Sequence, residues 1–354
     1  MQKYCFLSVF LDFKLKNEIM ILVTGATGLV GGNLIWHLLK ENDRIIAIRR
    51  RTSKPEVLRI IFSFYTSTPD DFLDRIDWII ADVLDERSIS VAMKNISIVY
   101  HCAAIVSFVN SAELISDTNV TGTRNVVRAA LENNITKLCF VSSIAACGRS
   151  GNNRPIDEET GWKDSSDYSL YKLSKYYSEQ EVWKGIKEGL NAVIVNPGVI
   201  LGVSGTTSGS SELFLQVQKG LMFYTKGGSG YVDVQDVVQA MILLTKSDIS
   251  CERFILVSEN CSNRDILNWM ADGFGKRRPL ICIGEKVLWV VGYLSEITGK
   301  VFHFHPLIDR ATVRTISHRE YYSGKKIKNA LGISFKPIEL CVHDVCKFQK
   351  QGNY

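Results

Sequence analysis

The sequence predicts an α/β protein, a doubly wound parallel sheet with a smaller C-terminal lobe. Three observations carry this. A short apolar run, Met20-Ile21-Leu22-Val23, passes directly into a turn with glycines at 25, 28 and 31 and then into a helical stretch. Apolar runs of strand length then alternate with amphipathic stretches to about residue 200, the pattern of parallel strands joined by helices and covered on both faces. After Gly202 the alternation lapses into Ser, Thr and Gly between Ser204 and Ser211, where the second lobe is expected to begin.

Taken in order, the first strand is Met20–Val23 and the turn is Thr24–Gly31. Leu34, Ile35, Leu38 and Leu39 then recur at helical spacing on one face. Arg44–Ile48 closes a βαβ unit of about 30 residues, the opening of a Rossmann-type domain. Trp78-Ile79-Ile80, Ile98-Val99-Tyr100, Leu138–Ser142 and Asn191–Asn196 are further strands, and Thr121–Glu132 and Leu170–Glu188 are predicted helices. Residues 20–202 are therefore assigned to the Rossmann domain and 203–354 to a substrate-binding lobe. A strand at Tyr231-Val232-Asp233-Val234 is expected to contribute to the first domain. Residues 1–19 read as an N-terminal extension, either a segment ahead of a start at Met20 or a short tail for a membrane surface or partner.

The 354 residues are 46% hydrophobic and 22% charged. This is ordinary globular usage, which excludes a disordered or fibrous chain. The net charge of +5 is thinly spread and Arg49-Arg50-Arg51 is a short basic tract, so no nucleic-acid partner is expected. Nine cysteines, with no CxxC pair and no Cys/His cluster at metal spacing, are expected as free thiols in a reducing cytoplasm, without a metal site. Val287–Leu294 falls short of the roughly 20 apolar residues that a bilayer requires; no transmembrane span is expected, and the stretch reads as a buried helix. Tyr4–Leu11 is short and lacks a small-residue cleavage site, so no signal peptide is expected.

Gly25-x-x-Gly28-x-x-Gly31, set between strand and helix, is the spacing that cradles a dinucleotide. The first glycine allows the tight turn, the second lets backbone approach the pyrophosphate, and the third lets helix pack on strand. Free N–H groups at the helix start then face the phosphates. The candidate cofactor residues here are Gly25, Thr27, Gly28, Leu29, Val30 and Gly31. At the tip of the second strand a carboxylate would select NAD, and an Arg would accommodate a 2′-phosphate. The tip reads Ile48-Arg49-Arg50-Arg51-Thr52-Ser53, with no acid. Guanidinium matches phosphate bidentately, so Arg49 and Arg50 favour NADP; NAD stays open through a backbone contact.

These motifs continue in order over about residues 20–240: Ala81-Asp82-Val83, His101-Cys102-Ala103-Ala104, Asn119-Val120-Thr121-Gly122-Thr123, Val141-Ser142-Ser143, Tyr171-Lys172-Leu173-Ser174-Lys175, Asn196-Pro197-Gly198 and Tyr231 to Val237. The chain resembles the extended short-chain dehydrogenase/reductases of the NAD-dependent epimerase/dehydratase family, and most of all their dihydroflavonol-4-reductase-like and 3β-hydroxysteroid-dehydrogenase-like members. The resemblance implies that Asp82 and Val83 flank the adenine, that Ala103 and Ala104 bring backbone near the cofactor, and that Pro197 leads into a segment against the nicotinamide. It implies that Asn119 holds backbone together rather than touching ligand, and that the protein is a homodimer. His101 reads as a satisfied structural histidine.

Tyr171 and Lys175 are four residues apart on a predicted helix, so they share a face about one turn apart. A phenol titrates near 10; a neighbouring ammonium and an oxidised nicotinamide are expected to lower that value. Tyr171 can then exchange a proton with a substrate oxygen, Ser143 can hydrogen-bond the same oxygen, and the resemblance implies that Lys175 also holds the nicotinamide ribose. Ser143 is preferred to Ser142 for its family spacing of five residues to Gly148. Tyr168 and Lys172 form a second register, set aside because Tyr171-x-x-Ser174-Lys175-x-x-x-Glu179 fits the family and Tyr168 falls at the helix start.

Three functions share this machinery. Sugar-nucleotide dehydratases carry an Asp-Glu pair after the active Ser/Thr, where this chain has Ile144-Ala145-Ala146. Sugar-nucleotide enzymes also carry an Arg-x-x-Asn segment and an Arg-Asp pair, where this chain has Asn196-Pro197-Gly198-Val199 and Gly227-Gly228-Ser229-Gly230. Hydride transfer to a carbonyl, or from a secondary alcohol, on a fairly apolar small molecule is therefore preferred. Nucleotide-sugar epimerisation or dehydration is the alternative, and a non-catalytic cofactor sensor the third. Phe214, Tyr224, Arg277, Arg278 and Lys325 of the later lobe belong to no motif, so the substrate is not specified.

Overall fold

The computed structural model describes residues 19–106, 112–149, 154–163, 168–207, 209–290, 313 and 317–352. The extension at 1–18 and the second half of Val287–Leu294 lie outside these residues. Seven parallel strands form the central sheet: β1 (Ile21–Thr24), β2 (Ile45–Arg49), β3 (Ile76–Ile80), β4 (Ile98–His101), β5 (Lys137–Val141), β6 (Ala192–Pro197) and, last in the sheet, β10 (Glu252–Leu256), in the order β10-β6-β5-β4-β1-β2-β3. The order reverses between β1 and β4, and such a switch point opens a crevice at the carboxyl ends of the strands.

The inner strands β1, β4, β5 and β6 are buried along nearly their whole length because both faces are covered. On one face α1 (Leu29–Leu38) packs Leu34, Ile35 and Leu38 with Val23, Tyr100 and Val195. On the other, α2 (Gly122–Glu132) and α3 (Leu170–Lys187) pack Val126, Ala130 and Val182 with Leu22, Val99 and Ile194. The helix α4 (Val234–Lys246) joins the first of these cores through Val237, Val238 and Met241.

A second core lies in the later lobe, where α5 (Asn263–Phe274) and α6 (Ile338–Lys350) bury Ile266, Met270, Val342 and Val345 with Phe214. Phe214 is thus a core residue, and Arg278 is exposed and paired with Asp272.

Three local expectations change. The strand near 231–234 is β9 (Gly228–Asp233); it lies outside the central sheet, while its Val232 packs into the core beneath α1. It pairs with β7 (Val199–Leu201) and β11 (Glu259–Ser262) in a three-stranded sheet, and β8 (Phe223–Tyr224) pairs with β12 (Ile281–Cys282). The seventh central strand is β10, drawn from beyond the expected boundary; its apolar run Phe254-Ile255-Leu256 is preceded by Glu252 and Arg253, which hide it from a periodicity search. In the described part of Val287–Leu294, Leu288 is buried but Val287, Trp289 and Val290 are exposed, so these residues do not form a buried helix.

Among the described residues no helix is long and apolar enough to cross a membrane, and no group of His, Cys, Asp and Glu is arranged to hold a metal. The eight described cysteines are free thiols.

Candidate active site

The glycine turn follows β1. Gly25 has φ +66, a left-handed conformation that favours glycine. A Cβ there would stand 2.6 Å from the backbone of Cys102 and Ala103, so the turns after β1 and β4 touch. A Cβ on Gly31 would stand 2.2 Å from the Gly25 carbonyl oxygen, so helix and turn are in backbone contact. Gly28 is the N-cap of α1, with no side chain capping it and no acid in the first turn. The first N–H groups of α1 therefore face outward between the partly exposed Thr27, Leu29 and Val30.

Arg49 ends β2. Its side chain is half-buried, and its Nε is buried with no hydrogen-bond partner. Its carbonyl accepts from Ala81 N–H at 3.1 Å, which sets the turn after β3 beside it. In that turn Asp82 Oδ1 accepts from Leu84 N–H at 3.0 Å, and Val83 is buried against Gly122. Arg50 is exposed.

At the end of β4, His101 Nδ1 lies 2.7 Å from Thr24 Oγ1 and Nε2 lies 3.1 Å from Thr123 Oγ1. Burial lowers its pKa to about 3. This is a neutral brace between β1, β4 and α2, as expected. Ala103 N–H donates to Thr24 Oγ1 at 3.2 Å, and Ala104 beside it is partly exposed. Asn119 accepts from Ile105 N–H and donates to the Ile105 carbonyl and to Ser174 Oγ, locking the turn after β4 onto α3.

Ser143 leaves β5 and caps a short 3-10 turn, Ile144–Ala146, by accepting from Ala145 N–H at 3.1 Å. Its side chain also hydrogen-bonds the Tyr171 hydroxyl, which α3 brings over the end of β5. Lys175, one turn further on and 2% exposed, donates from Nζ to the Val141 carbonyl at 2.9 Å and lies over the Phe140 ring. Ser143, Tyr171 and Lys175 therefore meet at one strand end. Strands stand about 4.8 Å apart, and β1, β4 and β5 are consecutive, so the glycine turn opens about 10 Å from Ser143. Pro197 ends β6 on the next strand over. Tyr168, by contrast, is buried against Trp162, with Arg149 and Lys172 over its ring.

Burial pushes the Tyr171 phenol above its ordinary value, and the bond with Ser143 opposes this. Lys175 turns its ammonium to the Val141 carbonyl. Lys175 itself is pushed down to about 8 by burial, with Glu179 and Cys102 acting in the opposite sense.

A stability effect follows. Between about 8 and the ordinary 10.5 the folded state holds fewer protons at Lys175 than the unfolded chain, so this group makes stability rise with pH across that window. Denaturant midpoints at both ends of the window should show a rise in wild type on the order of 3 kcal/mol beyond that in Lys175→Met. Equal slopes would contradict a buried, depressed lysine.

Sequence reading passed over Ser142 and Asn196 as site residues, and noted Glu179 only as part of a motif. Ser142 Oγ and Asn196 Nδ2 each donate to Glu179 Oε2 at 2.7 Å. The signal available was a buried-helix carboxylate one turn past the lysine.

A family model described as the NAD dependent epimerase/dehydratase family matches residues 21–254. The chain is 28% identical to a Synechocystis protein with the provisional name dihydroflavonol 4-reductase, over 93% of this chain and 94% of that protein. It is 26% identical to cinnamoyl-CoA reductase 1 of Petunia hybrida, over 94% and 93%. Among solved structures, that of gox2253 superimposes with a TM-score of 0.79 at 28% identity, covering 95% of this chain and 99% of the other.

Proposed function

Because the chain belongs to the NAD dependent epimerase/dehydratase family, we propose that it is an NAD(P)-dependent oxidoreductase that reduces a carbonyl, or oxidises a secondary alcohol, on a fairly apolar small molecule. The observation that carries this reading is the Tyr171 hydroxyl bonded to Ser143 at the end of β5, with Lys175 one turn behind it.

The residues present fit a dinucleotide. The uncapped start of α1 suits the pyrophosphate, and Gly25, Gly28 and Gly31 keep side chains out of its path. Asp82 and Val83 follow β3, Ala103 and Ala104 follow β4 and Pro197 ends β6, all at the carboxyl ends of the strands where a dinucleotide would lie. The buried Nε of Arg49 lacks a partner, and a 2′-phosphate with Arg50 at its rim would satisfy it, which favours NADP. The bound nicotinamide supplies or accepts the hydride. Tyr171, kept protonated at neutral pH by burial, gives its proton to the oxygen of a carbonyl as charge develops there. Ser143 steadies the same oxygen, and Lys175, anchored on the Val141 carbonyl, would hold the cofactor ribose. The reductase names of the two sequence relatives support this direction.

The test is a screen following the near-ultraviolet absorbance of reduced nicotinamide, with both coenzymes, against ketones, dihydroflavonols, sterols and nucleotide sugars. Turnover in the first three groups is expected; turnover of nucleotide sugars alone would overturn the reading. Arg49→Ala should weaken NADPH binding about 10- to 100-fold, the loss of one charge-assisted contact, and leave NADH binding unchanged. An equal loss for both coenzymes would refute the assignment of Arg49 to the 2′-phosphate.

A further inference from the structure

We propose that Glu179 is the positioning residue of this site: its carboxylate ties the Ser143 backbone in place through Asn196 and faces Lys175 from the next turn of α3. The inference rests on the reading of Ser143, Tyr171 and Lys175 given above.

Glu179 is 1% exposed, and donors surround its carboxylate. Oε2 accepts from Ser142 Oγ and from Asn196 Nδ2, both at 2.7 Å. Oε1 accepts from Arg253 Nη1 at 3.2 Å and from Trp183 Nε1 at 3.3 Å. One carboxylate thus joins the end of β5, β6, β10 and α3.

Asn196 passes the constraint on. Its Nδ2 also donates to the Ser143 carbonyl at 3.0 Å, while its buried Oδ1 has no partner. Turning the amide over would set Oδ1 against two acceptors, so the donor orientation is fixed. Ser143 is thereby held at its carbonyl, one residue after Ser142, whose N–H donates to the Val195 carbonyl at 2.8 Å. Its hydroxyl is left to face Tyr171.

The charge acts as well. The groups packed around Lys175 are Glu179 on its own helix, Cys102 after β4 and the neutral His101 of β4. Around Glu179 stand Arg253 of β10 and Cys147 of the turn after β5, with Glu158 beside them. Burial opposes the ammonium form of Lys175, and Glu179 is the largest opposing cause.

The test reads NADPH fluorescence from about pH 6 to about pH 10, with hydride transfer to the carbonyl found by the screen. In wild type, affinity should be level while Lys175 is charged and weaken above about 8. Glu179→Gln should move that break down by about one pH unit, a tenfold change in protonation equilibrium, and lower kcat about tenfold or more. Asn196→Leu cuts the tie to Ser143 but keeps the charge: kcat should fall while the break stays.

Wild-type kcat and an unmoved break in Glu179→Gln would overturn the proposal. Should that variant fail to fold, Asn196→Leu and Glu179→Asp carry the test, where wild-type kcat in both would overturn it and loss of kcat with the break in place would support it. A wild type that binds no coenzyme or transfers no hydride defeats the underlying reading, and the inference with it.

Discussion

Tyr171→Phe should lower kcat/KM for carbonyl reduction about 10³-fold while leaving coenzyme affinity nearly intact. General acid catalysis is worth about 10²- to 10⁴-fold, and the phenol is the group that α3 carries to Ser143. Phenylalanine fills the same space, so the strand end keeps its packing and Lys175 keeps its bond to the Val141 carbonyl. The contrast is Tyr168→Phe. Tyr168 packs its ring on Trp162 under Arg149 and Lys172, and a phenyl ring retains those contacts, so activity should stay near wild type. Steady-state kinetics of both variants with NADPH fluorescence titration decide the matter. Activity lost in Tyr168→Phe and kept in Tyr171→Phe would transfer the acid to the other register.

Gly31→Ala should be severely damaging to the cofactor turn. The added carbon would stand 2.2 Å from the Gly25 carbonyl oxygen and 2.8 Å from its carbon. These are backbone atoms, and no rotamer relieves the overlap. Either α1 moves off the turn or the turn opens, and both spread the N–H groups that face the pyrophosphate. Overpacking costs about 1–3 kcal/mol, and the backbone nature of the clash sets this case near the top of that range. Coenzyme binding should be lost as well. Gly161→Ala is the control: nothing lies within 4 Å of its added carbon, so stability should change by about 0.5 kcal/mol or less. Urea midpoints that coincide for Gly31→Ala and wild type would show that the helix does not rest on the turn as described.

The order of β1 to β6, the glycine turn and the positions of α2 and α3 were legible in the sequence because each is a local signal. A strand covered on both faces must be apolar throughout, a helix lying on a sheet must repeat its apolar residues every three to four positions, and a turn that meets a phosphate must lack side chains. Leu22, Val126 and Gly31 each carry one of these signals in their own neighbourhoods. The spacing of Tyr171 and Lys175 is equally local, since one helical turn brings them to the same face.

What only the tertiary structure decided depends on residues far apart in the chain. The seventh strand, Glu252–Leu256, pairs with β6 some 60 positions earlier, while the strand at 231–234 leaves the central sheet for β7 and β11. The protonation of Tyr171 follows the same rule: the burial that raises the phenol is set by the assembled site and not by its neighbours in sequence. Glu179 shows the reason most clearly, since its donors come from positions 142, 183, 196 and 253. Desolvation and charge are set by every group within a few ångströms, and only a folded chain specifies which groups those are.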